Sequence, residues 1–196
     1  MKNLTELRKE YREQGVPTIL DEGYKYLIEK VKQKNPKNIL EIGTAVGMSA
    51  IALLQNSSAK ITTIEIRENS YNKAQENFKL FGVEDRVTSL LGDSLNVIPA
   101  LKEKYDFVFL DGAKSKYKQN LVLIEPLLEK NALVFADNVL FRGYIENKVP
   151  FAHRQKTIVV NMREYLKYVF YSGNYESELI RAGDGISCSI YKGETE

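Results

Sequence analysis

The stretch that most narrows what this chain can fold into is residues 38–49, Asn-Ile-Leu-Glu-Ile-Gly-Thr-Ala-Val-Gly-Met-Ser. Ile39, Leu40 and Ile42 form a short apolar run, long enough for a buried strand and too short for a helix of its own. Glu41 lies at its end, Gly43 and Gly47 follow, and Ser49 opens a helical stretch from Ala50 to Gln55. Strand, glycine turn and helix in that order bring a helix N-terminus against the carboxyl edge of a sheet. Open α/β sheets take nucleotide-like ligands at that edge. Glycine in the turn lets the backbone approach a ligand with no Cβ in the way.

The same turn excludes two ligand classes. A dinucleotide fingerprint needs a third glycine before the helix, and a phosphate loop needs Gly-Lys-Ser or Gly-Lys-Thr. Gly43-Thr44-Ala45-Val46-Gly47 supplies neither. Glu41 would repel a phosphate but could meet an ammonium group, which suits the amino-acid part of S-adenosylmethionine. The alternative is an ordinary βα turn.

Around this unit the chain alternates strands and helices. Leu4, Leu7 and Tyr11 predict a short amphipathic helix with Arg8, Lys9 and Arg12 on its other side. Leu20, Tyr24, Leu27, Ile28 and Val31 mark a second helix, stopped by Asn35-Pro36. Strands follow at Lys60–Ile66, Val87–Leu91, Tyr105–Leu110 and Ala132–Ala136. One helix between them carries Tyr71, Ala74, Phe78 and Phe81; another carries Leu121, Ile124, Leu127 and Leu128. Such alternation implies a mainly parallel sheet. Further on, Ile158, Met162, Leu166 and Val169 make one face of a helix. Two strands near Glu176–Ile180 and Ile186–Tyr191, joined through Gly183-Asp184-Gly185, read as an antiparallel hairpin.

At 196 residues, 43% hydrophobic and 28% charged, the chain has the size and balance of a single soluble domain spanning residues 1–196. A net charge of +2 argues neither for nor against an anionic partner. The single Cys188 precludes an internal disulfide and fits a reducing, cytoplasmic setting. Its place in an alternating strand makes it core. No stretch approaches a membrane span, so no membrane partner is expected.

The chemistry gathers at strand ends. The fourth strand ends in Asp111-Gly112-Ala113-Lys114 and the fifth in Asp137-Asn138. If those strands are neighbours, Asp111, Asp137 and Asn138 share one edge, as two carboxylates and an amide. These are hard oxygen donors of the kind Mg²⁺ prefers. Helix capping is the alternative role for such residues. Lys114 could deprotonate a metal-bound hydroxyl, or be a surface lysine. Glu65, at the end of the second strand, is placed to reach ribose hydroxyls. Asp93 and Ser94, after the third, could hydrogen-bond an adenine. No Ser/His/Asp arrangement is present, and the only histidine, His153, reads as a surface or rim residue.

These residues resemble the Mg²⁺-dependent O-methyltransferases that include the catechol and caffeoyl-CoA enzymes. The likeness lies in Glu-Ile-Gly-Thr-Ala-Val-Gly-Met-Ser, the block Asp111–Lys114 and Asp137-Asn138. Asp137-Asn138-Val139-Leu140-Phe141-Arg142-Gly143, Gly183-Asp184-Gly185-Ile186 and Val16-Pro17-Thr18-Ile19 resemble most the branch acting on 5-hydroxyuridine of bacterial tRNA. The resemblance implies a Rossmann-like class I methyltransferase fold, a seven-stranded doubly wound sheet with an antiparallel last strand. It implies Mg²⁺ on Asp111, Asp137 and Asn138, with Lys114 and Asp111 catalytic. S-adenosylmethionine would lie among Glu41, Gly43, Thr44, Ser49 and Asp111, touched by Thr18, with Glu65 at the ribose and Asp93 and Ser94 at the adenine.

The implied reaction methylates 5-hydroxyuridine at the tRNA anticodon wobble position to 5-methoxyuridine, with tRNA as partner and a homodimer as assembly. Arg154, Lys156, Arg163 and Lys167 would meet phosphates. A small-molecule catechol or phenolic O-methyltransferase is the alternative, and a non-catalytic module for nucleotide-like ligands is a different class again. Catechol enzymes carry a gripping glutamate two positions after the Asp-Gly pair; here that residue is Ser187, which weakens a catechol reading.

Overall fold

A computed structural model describes residues 3–193. Two helices, α1 (Leu4–Glu13) and α2 (Asp21–Lys34), precede β1 (Asn38–Ile42). The chain then alternates α3 (Met48–Gln55), β2 (Lys60–Glu65), α4 (Glu68–Leu80), β3 (Val87–Leu91), a single turn α5 (Ser94–Val97) and β4 (Tyr105–Leu110). It continues through α6 (Tyr117–Ile124), β5 (Leu128–Ala136), α7 (Lys156–Tyr171) and the hairpin β6 (Tyr175–Ile180) and β7 (Ile186–Tyr191).

The seven strands form one sheet in the order β3-β2-β1-β4-β5-β7-β6. Strands β1 to β5 pair in parallel, and β7 runs antiparallel to both β5 and β6. This is the seven-stranded doubly wound sheet with an antiparallel last strand that was expected. The chain builds outward from β1 to β3, then returns to place β4 on the other side of β1. The carboxyl ends of β1 and β4 therefore diverge into a crevice, the usual ligand position in such sheets.

Side-chain alternation explains why both faces are covered. Ile39, Ile61, Phe107, Phe109 and Phe135 pack under α2, α3 and α4, where Leu27, Ile51 and Phe78 meet them. Leu40, Ile64, Val108, Leu110 and Val134 face Tyr117, Leu121 and Ile124 of α6 and Met162 and Val169 of α7. Cys188 is buried in the first layer, and burial pushes its thiol up to about 12.

Three local expectations change. Arg8 is buried, not on a solvated face: its guanidinium lies 3.6 Å over the Tyr24 ring and donates to the Ile19 carbonyl at 3.0 Å. The helix expected to include Leu127 and Leu128 stops at Ile124; Pro126 sits in a following 3-10 turn, and Leu128 already begins β5. On α7 the buried line is Val159, Met162, Tyr165 and Val169, while Ile158 and Leu166 are only half-buried. A tyrosine supplies what was assigned to aliphatics: Tyr165 packs edge-on to Tyr117 and hydrogen-bonds Ser187 at 3.0 Å.

Candidate active site

The strand ladders continue one residue past the crevice and set the site's frame. Gly43 N–H donates to Ile64 O, Asp111 N–H to Ile42 O and Asp137 N–H to Leu110 O, each at 3.0–3.1 Å. Asp111 therefore sits beside the end of β1, and Asp137 beside the end of β4. A cavity of about 410 Å³ opens over these ends, bordered by Gly43, Glu65, Asp93, Asp111, Lys114 and Asn138. Pro17, Thr18 and Ile19 cross it from the N-terminal side and also border a small cleft lined by Thr44 and Ser49.

The glycine turn is shaped by two requirements. Gly43 has φ +101°, and a Cβ there would lie 2.6 Å from the Asp111 carbonyl oxygen; Gly47, at φ +82°, has Phe78 where a side chain would go. The first contact locks the turn to the end of β4. So the close approach that needs Gly43 is to the protein's own chain at the end of β4.

Glu41 does not reach the cavity. It is fully buried behind the turn and accepts hydrogen bonds from the hydroxyls of Ser49 and Thr63. The Thr63 hydroxyl in turn pairs with that of Thr44. Burial pushes the Glu41 carboxyl up to about 7, against the opposing pull of those hydroxyls. Glu41 acts on the cavity through the turn it braces, and Ser49 and Thr44 spend their hydroxyls on that brace.

Glu65 is at the cavity wall and nearly buried. One carboxylate oxygen accepts from Ala45 N–H at 2.7 Å and the other from Arg67 N–H at 2.8 Å. It ties the glycine turn to the end of β2, and both oxygens keep lone pairs for a diol. Asp93 caps α5 through Leu95 N–H at 3.1 Å and pairs with Lys116 at 2.7 Å, which holds its carboxyl below the usual range. Ser94 donates to Asn120 at 2.8 Å. Both of these side chains are engaged with protein while their residues border the cavity. Thr18 lies at the same border, with its hydroxyl 3.4 Å from Arg12 Nε.

Asp111, Asp137, Asn138 and Lys114 are brought together. Lys114 Nζ donates to Asn138 Oδ1 at 3.0 Å. Asp137 Oδ1 takes the Asn138 N–H at 2.8 Å, whereas its Oδ2 is buried with no partner. Burial raises both carboxyls; the Asp137 charge raises Asp111 further, and Lys114 pulls both back. Two neighbouring carboxylates, Asp137 buried and Asp111 half-buried at the cavity, with one oxygen unsatisfied, are short of positive charge. That is the fit expected of a divalent cation site with oxygen donors. No group of three or more His, Cys, Asp or Glu side chains is placed to hold a metal among the described residues, so the amide of Asn138 would have to complete the set.

Sequence reading quoted Pro17 and Ile19 only as motif neighbours of Thr18, and missed Lys116 and the buried Arg8. Arg8 left a signal, because it falls at helical spacing from Leu4 and Tyr11 on the apolar stripe. Arg163, expected to face phosphates, instead donates to the carbonyls of Ile145 and Tyr144 at 3.0 and 3.1 Å and to Asn147. Arg154, Lys156 and Lys167 are exposed, as is His153.

With this geometry the chain falls into a known class. The model of the O-methyltransferase family matches residues 1–190, and the chain belongs to that family. It is 33% identical to a pig catechol O-methyltransferase over 83% of its own length and 87% of that protein's. It covers 61% of the length of the cattle and mouse catechol O-methyltransferases that it also resembles. A crystal structure of a proposed caffeoyl-CoA O-methyltransferase from Staphylococcus aureus superposes with a TM-score of 0.90 at 27% identity, covering 97% of this chain and 93% of that one. The O-methyltransferase TomG from Streptomyces achromogenes, solved with S-adenosylmethionine, shares the fold with a TM-score of 0.85 at 22% identity, over 98% of this chain and 92% of that one. Among the described residues no helix is long and apolar enough to cross a membrane.

Proposed function

We propose that the protein transfers the methyl group of S-adenosylmethionine to an acidic ring hydroxyl held beside a divalent cation. The observation that carries this reading is the pairing of half-buried Asp111, at the edge of a cavity of about 410 Å³, with buried Asp137, one of whose oxygens is unsatisfied. Glu65 would hold the ribose. The turn braced by Glu41, with Thr18 across it, would hold the methionine part. Asp111, Asp137 and Asn138 would hold Mg²⁺, which when bound supplies positive charge that lowers the pKa of the acceptor hydroxyl.

Lys114, which borders the cavity beside Asn138, would take the hydroxyl proton once its ammonium has given one up to solvent. The freed oxygen lone pair then forms the O–CH₃ bond as the C–S bond breaks toward sulfur, leaving S-adenosylhomocysteine. Aligning donor and acceptor in one crevice supplies much of the rate enhancement.

The kinship with catechol O-methyltransferases supports a small phenolic acceptor. A specific feature favours a second acceptor, 5-hydroxyuridine of tRNA. Ser187, where the catechol enzymes have their gripping glutamate, is fully buried against Tyr165 and offers nothing to a second hydroxyl. Exposed Arg154, Lys156 and Lys167 could serve a polyanion.

The test is methyl transfer from labelled cofactor to catechol, caffeic acid and hydroxyuridine-bearing tRNA, with EDTA and then added Mg²⁺. Turnover that EDTA abolishes and Mg²⁺ restores supports the proposal, and the acceptor that turns over decides between the two readings. Undiminished turnover in EDTA, or none on any of these hydroxyls, overturns it.

A further inference from the structure

The turn Gly183–Gly185 that joins β6 to β7 lies against the loop leaving Asn138, and its contacts go beyond closing a hairpin. The carbonyl of Gly185 accepts from Val139 N–H and the carbonyl of Asp184 from Leu140 N–H, both at 2.9 Å. The Asp184 side chain then takes Arg142 N–H through Oδ1. The backbone donors of Val139, Leu140 and Arg142, immediately after the candidate metal ligand, are thus claimed by one turn. The same turn is tied to the start of α2, where Glu22 accepts from Gly183 N–H at 2.7 Å.

The loop needs that hold. Asn138, Phe141 and Arg142 have φ of +55°, +42° and +57°; asparagine takes such left-handed values readily, whereas Phe141 and Arg142 reach them at a cost. Strain of this kind persists only when the surroundings impose it. If the loop relaxes, the Asn138 backbone leaves the left-handed region. Its amide oxygen, now 3.0 Å from Lys114 Nζ, is then carried out of the cavity. Asp184 is the side chain through which the turn holds the 138–142 loop. It is half-buried and Arg142 is exposed, so water could satisfy the Arg142 N–H but would not tie the loop to the turn.

We propose that Asp184 is a positioning residue for the metal-ligand set: it holds the 138–142 loop in its strained conformation and so aims Asn138 at the cation. The proposal rests on the metal reading above. It assigns Asp184 no bond to the cation. What Asp184 supplies is a carboxylate oxygen for a backbone N–H.

The probe is Mn²⁺ binding to the whole protein without acceptor, by calorimetry, with S-adenosylmethionine binding as the control for an intact fold. Asp184→Ala should lose about 10- to 100-fold in Mn²⁺ affinity, the usual cost of removing a residue that orients a metal ligand. Cofactor affinity should be unchanged. Asp184→Asn keeps an oxygen for Arg142 N–H and should recover most of the loss; Asp184→Glu keeps the charge but misplaces it, and should not. The Asn and Glu variants decide the matter even if the Ala variant folds poorly. Wild-type affinity in Asp184→Ala, or equal losses in the Asn and Ala variants, would overturn the proposal and leave the metal reading standing. A wild-type protein that binds no Mn²⁺ would remove both.

Discussion

Replacing Glu41 by Gln tests whether the glycine turn rests on a protonated carboxyl. Glu41 is fully buried among Ser49, Thr63 and the turn, and burial raises its pKa from 4.5 to about 7. Below the unfolded value both states hold the proton and the contribution is intact. Between about 4.5 and 7 the unfolded chain releases a proton that the folded chain retains, so stability falls as pH rises. That gap, at about 1.4 kcal/mol per pH unit, amounts to about 3 kcal/mol lost by pH 8.

Gln mimics the protonated acid. Its oxygen can accept from Ser49 while its NH₂ donates to Thr63, whose own hydroxyl turns to Thr44. Urea melts of ligand-free wild type and Glu41→Gln, compared from about pH 4.5 to 8, isolate this one group. The variant should gain on the wild type by about 3 kcal/mol across the window, or roughly 6–12 °C in Tm for a domain of this size. A stability difference that stays constant with pH would refute the reasoning, since it would mean that the folded carboxyl titrates as the unfolded one does.

Gly43→Ala should cost about 1–3 kcal/mol in urea denaturation, because it combines a left-handed φ with a Cβ 2.6 Å from the Asp111 carbonyl oxygen. A folded variant should bind S-adenosylmethionine and Mn²⁺ both more weakly in calorimetry, since the clash displaces the end of β4 as well as the turn. Loss of cofactor alone would refute that coupling. Arg163→Ala should destabilise the protein by about 2 kcal/mol through its lost bonds to the 144–147 loop, while leaving the salt dependence of any tRNA binding unchanged. A flattened salt slope would return Arg163 to the phosphate-binding role.

How much of this was legible in the sequence depended on whether a property is local or collective. Ile39, Leu40 and Ile42 alternate between two core layers, and that pattern can be counted along the chain. The three bounds read correctly throughout, Val87–Leu91, Tyr105–Leu110 and Ile186–Tyr191, belong to strands closed by turn residues. Asp111 and Asp137 could be brought together because their strands were taken as neighbours, and parallel pairing aligned their ends. What stayed hidden was the assignment of individual atoms. Glu41 reads as an acid at a strand end whether its oxygens face a ligand or two hydroxyls, and only the position of Thr63 on the adjacent strand decides it.

Arg163 shows the same limit from the other side. A basic residue on an amphipathic helix has no local mark telling a carbonyl from a phosphate as its partner. The carbonyls of Tyr144 and Ile145 lie in a turn-rich loop outside any strand or helix, just after left-handed Phe141 and Arg142. Beside its own turn hydrogen bonds, such a loop is held by distant groups: Asp184 from the hairpin, Arg163 from α7. The frame of the site is therefore written in the alternation of the strands. The aim of its side chains is written in contacts between segments far apart in the chain, where a single sequence carries the least information.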